Sequence, residues 1–186
     1  MTRGKRPGSR RGTPSGLPLV AFVALVAACG GAPSSPDGLP VGSSTAALHP
    51  IVDFAFESLD ARPVSSDATR GKVAVLAFVT TGSLMAQAQV DFLVAMAKND
   101  ADRVSYAVIA LEERQNRELV QLYEKTLAIP FPVALADEAT RGGGGPFGDV
   151  TAVPVTLVLD RTGRVALRVE GRVAKSDEIR SAMRGL

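Results

Sequence analysis

Residues 72–93, KVAVLAFVTTGSLMAQAQVDFL, limit the folds open to this chain more than any other stretch. Residues 73–79 form an unbroken apolar run, the pattern of a central strand covered on both faces. Thr80-Thr81-Gly82 interrupts it, and Ser83 stands where a small hydroxyl caps a helix, predicted over residues 83–97. Met85, Val90, Leu93, Val94 and Ala97 are spaced to share that helix's inner face. A buried strand passing through a tight turn into a helix belongs to α/β architectures. Unpaired N–H groups and the helix dipole favour negative charge at such a turn.

The remaining segments fit the same class. Val52, Phe54 and Phe56 alternate with polar or small residues, a half-buried strand, and residues 59–64 turn a hairpin. Residues 104–111 read as a second buried strand. A charged helix is predicted over 112–127, its apolar stripe made of Leu119, Leu122, Tyr123 and Leu127. Pro130 and Pro132 bracket Phe131 before a short strand at 133–135. A strand at 155–159, a turn at 160–163, a strand at 164–169 and a helix at 175–186 burying Ile179 and Met183 complete the chain. This order predicts a sheet with parallel members. Residues 137–145 contain four consecutive glycines and are expected to be a mobile loop. A phosphate-binding loop would need Gly-Lys-Ser/Thr entering a helix; here Pro146-Phe147-Gly148 follows.

Gly71-Lys72, the strand ending at Phe78, Thr81 and the helix two residues later resemble the membrane-tethered TlpA type of thioredoxin-like protein. Ala152-Val153-Pro154-Val155-Thr156 resembles a second landmark of that fold, a strand opened by a cis-proline facing the catalytic turn. Phe147-Gly148 and Val150 look like a remnant of the family's aromatic-Gly-Val element. The resemblance covers about residues 52–186. It implies an α/β, thioredoxin-like fold, with a central mixed sheet flanked by helices and an N-terminal β-hairpin extension. It also implies a Cys-x-x-Cys pair opening the helix, which falls on Ser83 and Ala86. Neither is a cysteine. Gly82 and Val79 stand where the family carries aromatic residues.

The sole cysteine is Cys29. Five basic residues within the first eleven and a ten-residue apolar run at 19–28 have the layout of a secretory signal, too short for the roughly 20 residues of a spanning helix. Val26-Ala27-Ala28-Cys29 resembles a bacterial lipobox. The expected organisation is a signal peptide over 1–28, lipidation at Cys29, a flexible tether over 29–48 and one domain over 49–186. Ser9-Arg10-Arg11 invites a twin-arginine reading, but no apolar run follows at once. Gly30 after the cysteine favours a periplasm-facing site on the outer membrane of a bacterial envelope. The tether is rich in Gly, Ala, Pro and Ser and would span roughly 25 Å. Removing the signal leaves sixteen basic residues against nineteen acids, a formal charge of −3. The basic balance thus belongs to the signal, and no nucleic-acid partner is expected.

Thiol–disulfide exchange needs a thiolate to attack and a second thiol to resolve the mixed disulfide. Ser83 offers a hydroxyl and reads first as a helix cap; Ala86 offers nothing. A serine nucleophile would need a base, and the one histidine, His49, opens the domain. His49 without cysteine neighbours makes no metal site, and no cofactor is expected. Leu84 and Met85 either fold inward or form an apolar tip. In the second case Thr81, Leu84, Met85, Val153 and Pro154 line a groove for a periplasmic protein or peptide. The expected function is an envelope-anchored binding or scaffolding module without thiol chemistry of its own. Two alternatives are a role in envelope redox homeostasis through a Cys-bearing partner and an unrelated small-molecule binder on the same frame.

Overall fold

The computed structural model describes residues 50–186. The expected signal peptide and tether, with Cys29 and His49, lie outside the described residues. The elements are β1 (Ala55–Ser58), β2 (Val64–Ser65), α1 (Ser66–Thr69), β3 (Val73–Val79), α2 (Leu84–Asp100), β4 (Val104–Ala110), α3 (Arg117–Thr126), β5 (Val133–Leu135), α4 (Glu138–Arg141), β6 (Val155–Leu159), β7 (Val165–Glu170) and α5 (Ser176–Met183). Seven strands form one mixed sheet in the order β2-β1-β5-β4-β3-β6-β7. The β3–β4 and β4–β5 pairs are parallel; the others are antiparallel.

Strand alternation divides the core into two layers. Val73, Val75, Ala77 and Val79 of β3 meet Val90, Leu93 and Met96 of α2, Val120 of α3 and Ile179 of α5. Ala74, Leu76 and Phe78 point to the other face, onto Val52, Phe54, Phe56, Phe147 and Val150. The rings of Phe54, Phe56 and Phe78 lie 5.2, 6.3 and 5.3 Å from that of Phe147. β3 is therefore buried along its whole length, as an unbroken apolar run demands. The β1–β2 hairpin extends the sheet beyond β5, with Glu57 opposite Leu135. Below the helical face, Asp100 is buried because it is paired. The Tyr106 hydroxyl donates to its Oδ2, and Arg180 Nη1 lies 3.1 Å from Oδ1. Burial and this carboxylate together push the Tyr106 phenol up, well above the usual tyrosine range.

Three expectations need correction. The charged helix starts five residues late, after a 3-10 turn at Arg114–Asn116. Leu119 and Leu122 are exposed, and Val120 takes the core position. Arg117 fixes this rotation by donating to Glu57 Oε1 and to the carbonyls of Ser58 and Leu59. Next, α2 turns Met85 outward and buries Ala86 and Gln89 instead. The glycine run, finally, is a packed turn rather than a mobile loop. Asp137 Oδ1 accepts the Thr140 N–H at 2.7 Å and starts α4. The N–H groups of Gly142, Gly143 and Gly144 then bond the carbonyls of Glu138, Thr140 and Ala139.

Two of these glycines are required. Gly143 has φ +77°, and a Cβ on Gly145 would lie 2.4 Å from Thr140 Oγ1 and 2.9 Å from its Cα. Gly145→Ala should therefore cost about 1–3 kcal/mol. At Gly144 a Cβ meets only a carbonyl at 3.7 Å, so Gly144→Ala should change stability by no more than about 1 kcal/mol. Urea unfolding of the two variants reads the difference. Equal midpoints would mean that the segment does not pack as described.

Candidate functional site

The site is set by where β3 stops. Phe78 pairs with Val155, so one step further along the ladder Val79 comes beside Pro154. The Val153–Pro154 peptide bond is cis. On the other side Val79 pairs with Ala110. The chain leaving β3 therefore turns between the start of β6 and the end of β4. The sequence places Thr81 and Glu112 two residues beyond paired strand ends, and they meet: Thr81 N–H and Oγ1 donate to Glu112 Oε1 at 2.9 and 2.7 Å. This clamp holds the turn.

Ser83 closes the turn as a cap. Its Oγ accepts the Ala86 N–H at 3.2 Å, its carbonyl accepts Gln87 N–H at 2.9 Å, and its own N–H reaches the Thr80 carbonyl at 3.2 Å. Ala86 is fully buried, whereas Leu84 is 82% and Met85 50% exposed. Pro154 is buried and Val153 half-buried. Thr81, Ser83, Leu84 and Met85 thus stand at the same end of the sheet as Val153 and Pro154.

The backbone around the proline is largely self-satisfied. The Val153 N–H donates to the Thr151 carbonyl at 2.9 Å, and Gly171 N–H is shared by the Ala152 and Pro154 carbonyls at 2.7 and 3.1 Å. Behind the turn, buried Gln89 accepts the Ala174 N–H at 2.6 Å on Oε1, tying α2 to the segment before α5. Its Nε2 and the Thr156 hydroxyl are buried without a protein partner.

Sequence reasoning did not find Glu112 or Gln89. For Glu112 the signal was its matching offset from the strand end; for Gln89 there was none, because its partner is 85 residues away.

The chemistry open to this arrangement is narrow. The hydroxyl of Ser83 is engaged as an acceptor, and no side-chain base bonds to it among the described residues. No cysteine falls among residues 50–186. What the site offers is a fixed turn with an exposed apolar tip.

Solved structures place this architecture. A thioredoxin-family thiol:disulfide interchange protein from Chlorobium tepidum matches with a TM-score of 0.61 at 26% identity, over 73% of this chain and 97% of that one. A secreted thiol-disulfide isomerase from Corynebacterium glutamicum matches with a TM-score of 0.63 at 16% identity, over 81% and 95%. A DsbF homologue from Corynebacterium diphtheriae gives 0.62 at 21%, over 81% and 98%. The fold is thioredoxin-like. No family model and no curated protein matches the sequence.

Proposed function

We propose that this chain is a degenerate member of the TlpA-type group that has kept the frame and given up the thiols. It works as a non-catalytic binding or scaffolding module, lipid-anchored through Cys29 on the periplasmic side of a bacterial envelope, on the outer membrane. The observation that carries this reading is Leu84 and Met85 standing exposed beside a capped Ser83 and a buried Ala86, at the end of the sheet where β6 begins after Pro154. A partner segment crossing this end would meet apolar side chains. It would find little free backbone, since the Val153 N–H is already bonded, so grip by side-chain burial outweighs strand addition. The secreted character of the Corynebacterium glutamicum neighbour supports an extracytoplasmic home.

A second reading has its own support. The neighbour at 26% identity is a thiol:disulfide interchange protein, which favours a part in envelope redox homeostasis through a Cys-bearing partner.

A photo-crosslinking residue placed at Met85 in the full chain, in cells, tests the binding surface. A discrete adduct is expected from position 85, lost when Leu84 is changed to Asp and absent when the crosslinker sits at Lys98. No adduct at 85, or the same adduct from both positions, would overturn the assignment. If the adduct forms only while the partner retains its cysteines, the redox reading replaces the scaffold.

A further inference from the structure

At the end of the sheet remote from Ser83 and Pro154, β4 has an unfilled side. The β4–β5 ladder begins at Val108 opposite Val133, and Val108 N–H donates to the Pro132 carbonyl at 3.1 Å. One step lower a ladder would need an N–H at residue 132 to reach the Tyr106 carbonyl. Proline has none. The ladder stops there, so the first half of β4, Val104 to Ala107, has no strand beside it on that side. Main-chain groups of one strand residue point to one side, and those of Tyr106 share the direction of Val108 into this gap.

The gap opens into a cleft of about 690 Å³, within the range of small-molecule sites. Pro130, Phe131 and Pro132 wall one side and the β2–α1 segment the other. The Phe131 ring stacks on Tyr106 at 5.6 Å and 29°. Lys72, at the start of β3, and Lys98, in the last turn of α2, line the cleft, and neither has an ion-pair partner among the described residues. Arg62 also lines it but is held by Asp60 and the Pro130 carbonyl. Asp102 is the one acid of the lining.

We propose that this notch binds a small organic anion with a flat apolar body, such as an aryl carboxylate or sulfonate. The ring lies along the proline wall, where apolar surface is removed from water. The anionic group sits between Lys72 and Lys98, and a ligand acceptor or donor takes up the open main-chain groups of Tyr106. Two uncommitted ammonium groups against one carboxylate select an anion over a cation.

The probe is 8-anilinonaphthalene-1-sulfonate, titrated into the full chain and followed by amide shifts and fluorescence. Saturable one-site binding is expected, with the Val104, Tyr106 and Phe131 amides moving together. Lys72→Gln with Lys98→Gln should weaken it about tenfold, and Asp102→Asn should tighten it severalfold, both effects shrinking at high salt. Leu84→Ser with Met85→Ser should leave it unchanged. Three results would overturn the proposal: affinity insensitive to the two lysines, affinity lost with Leu84 and Met85, or equal affinity for the uncharged N-phenyl-1-naphthylamine.

Discussion

Placing Ser83→Cys and Ala86→Cys together in a Cys29→Ser background should turn a chain that otherwise has no cysteine into an insulin reductase. Turnover should rise at least about tenfold over the uncatalysed reaction, the equivalent of roughly 1.4 kcal/mol of barrier. The reasoning is geometric. The Ala86 N–H already points at the Ser83 side chain at 3.2 Å. A thiolate there would accept the same N–H at a helix start, which draws a cysteine pKa below its usual ~8.5. Positions three apart at a helix start bring their Cα atoms within about 5 Å, inside the roughly 4.4–6.8 Å that a disulfide spans. Residue 86 is fully buried, so adding sulfur there costs about 1–3 kcal/mol of packing and lowers the melting temperature modestly. Each single variant should fail for a different reason. Ser83→Cys should form a mixed disulfide and stall, because no thiol resolves it; Ala86→Cys should be unreactive. The Cys29→Ser chain with neither substitution should show no turnover. Reduction by that parent chain would refute the non-catalytic reading, whereas an inert but folded double variant would put the placement of the motif in doubt.

Phe147→Ala should be among the most damaging single changes in the domain, at about 3–5 kcal/mol. Its ring touches those of Phe54, Phe56 and Phe78, and its carbonyl accepts Arg168 Nη1 at 2.6 Å. Truncation opens a cavity where three segments distant in sequence converge. A domain with total stability of about 5–15 kcal/mol would lose a large share of it. The urea midpoint should fall with no change in the m-value. Leu119→Ala is the counterpart. On an exposed helix face it should alter stability by less than about 0.5 kcal/mol. A loss of 2 kcal/mol or more there would mean that α3 is rotated as its leucines alone suggest.

That contrast marks where the sequence was readable. β3 is apolar throughout and β6 is apolar but for Thr156, and a run of that kind has only one comfortable place, the middle of a sheet. The turn into α2 carried its own punctuation in Gly82 and Ser83. The phase of α3 did not, because leucine outranks valine in bulk while the helix rotation is set by Arg117 bonding to residues 57–59. The packing of the glycine run is hidden for a similar reason: flexibility in a free chain says nothing about a neighbour such as Thr140 that only glycine can approach. Within the candidate site, Ser83 and Pro154 were visible as landmarks. The Thr81–Glu112 clamp depends on two strands ending in register, so the equal offsets of the two residues acquire meaning only once β3 and β4 are aligned.

The way the N-terminal segment enters the domain has a mechanical consequence. Ile51 bridges to Arg164, and Val52 N–H bonds the Gly163 carbonyl at 3.0 Å, both at the β6–β7 turn, before the chain runs on to pair with β5. That turn lies at the far end of β6 from Pro154. A force applied upstream of residue 50 would therefore load the Ile51 and Val52 attachments first, and those would peel before stress reached the Ser83 end. A domain pulled from its N-terminal side would keep its exposed tip in shape.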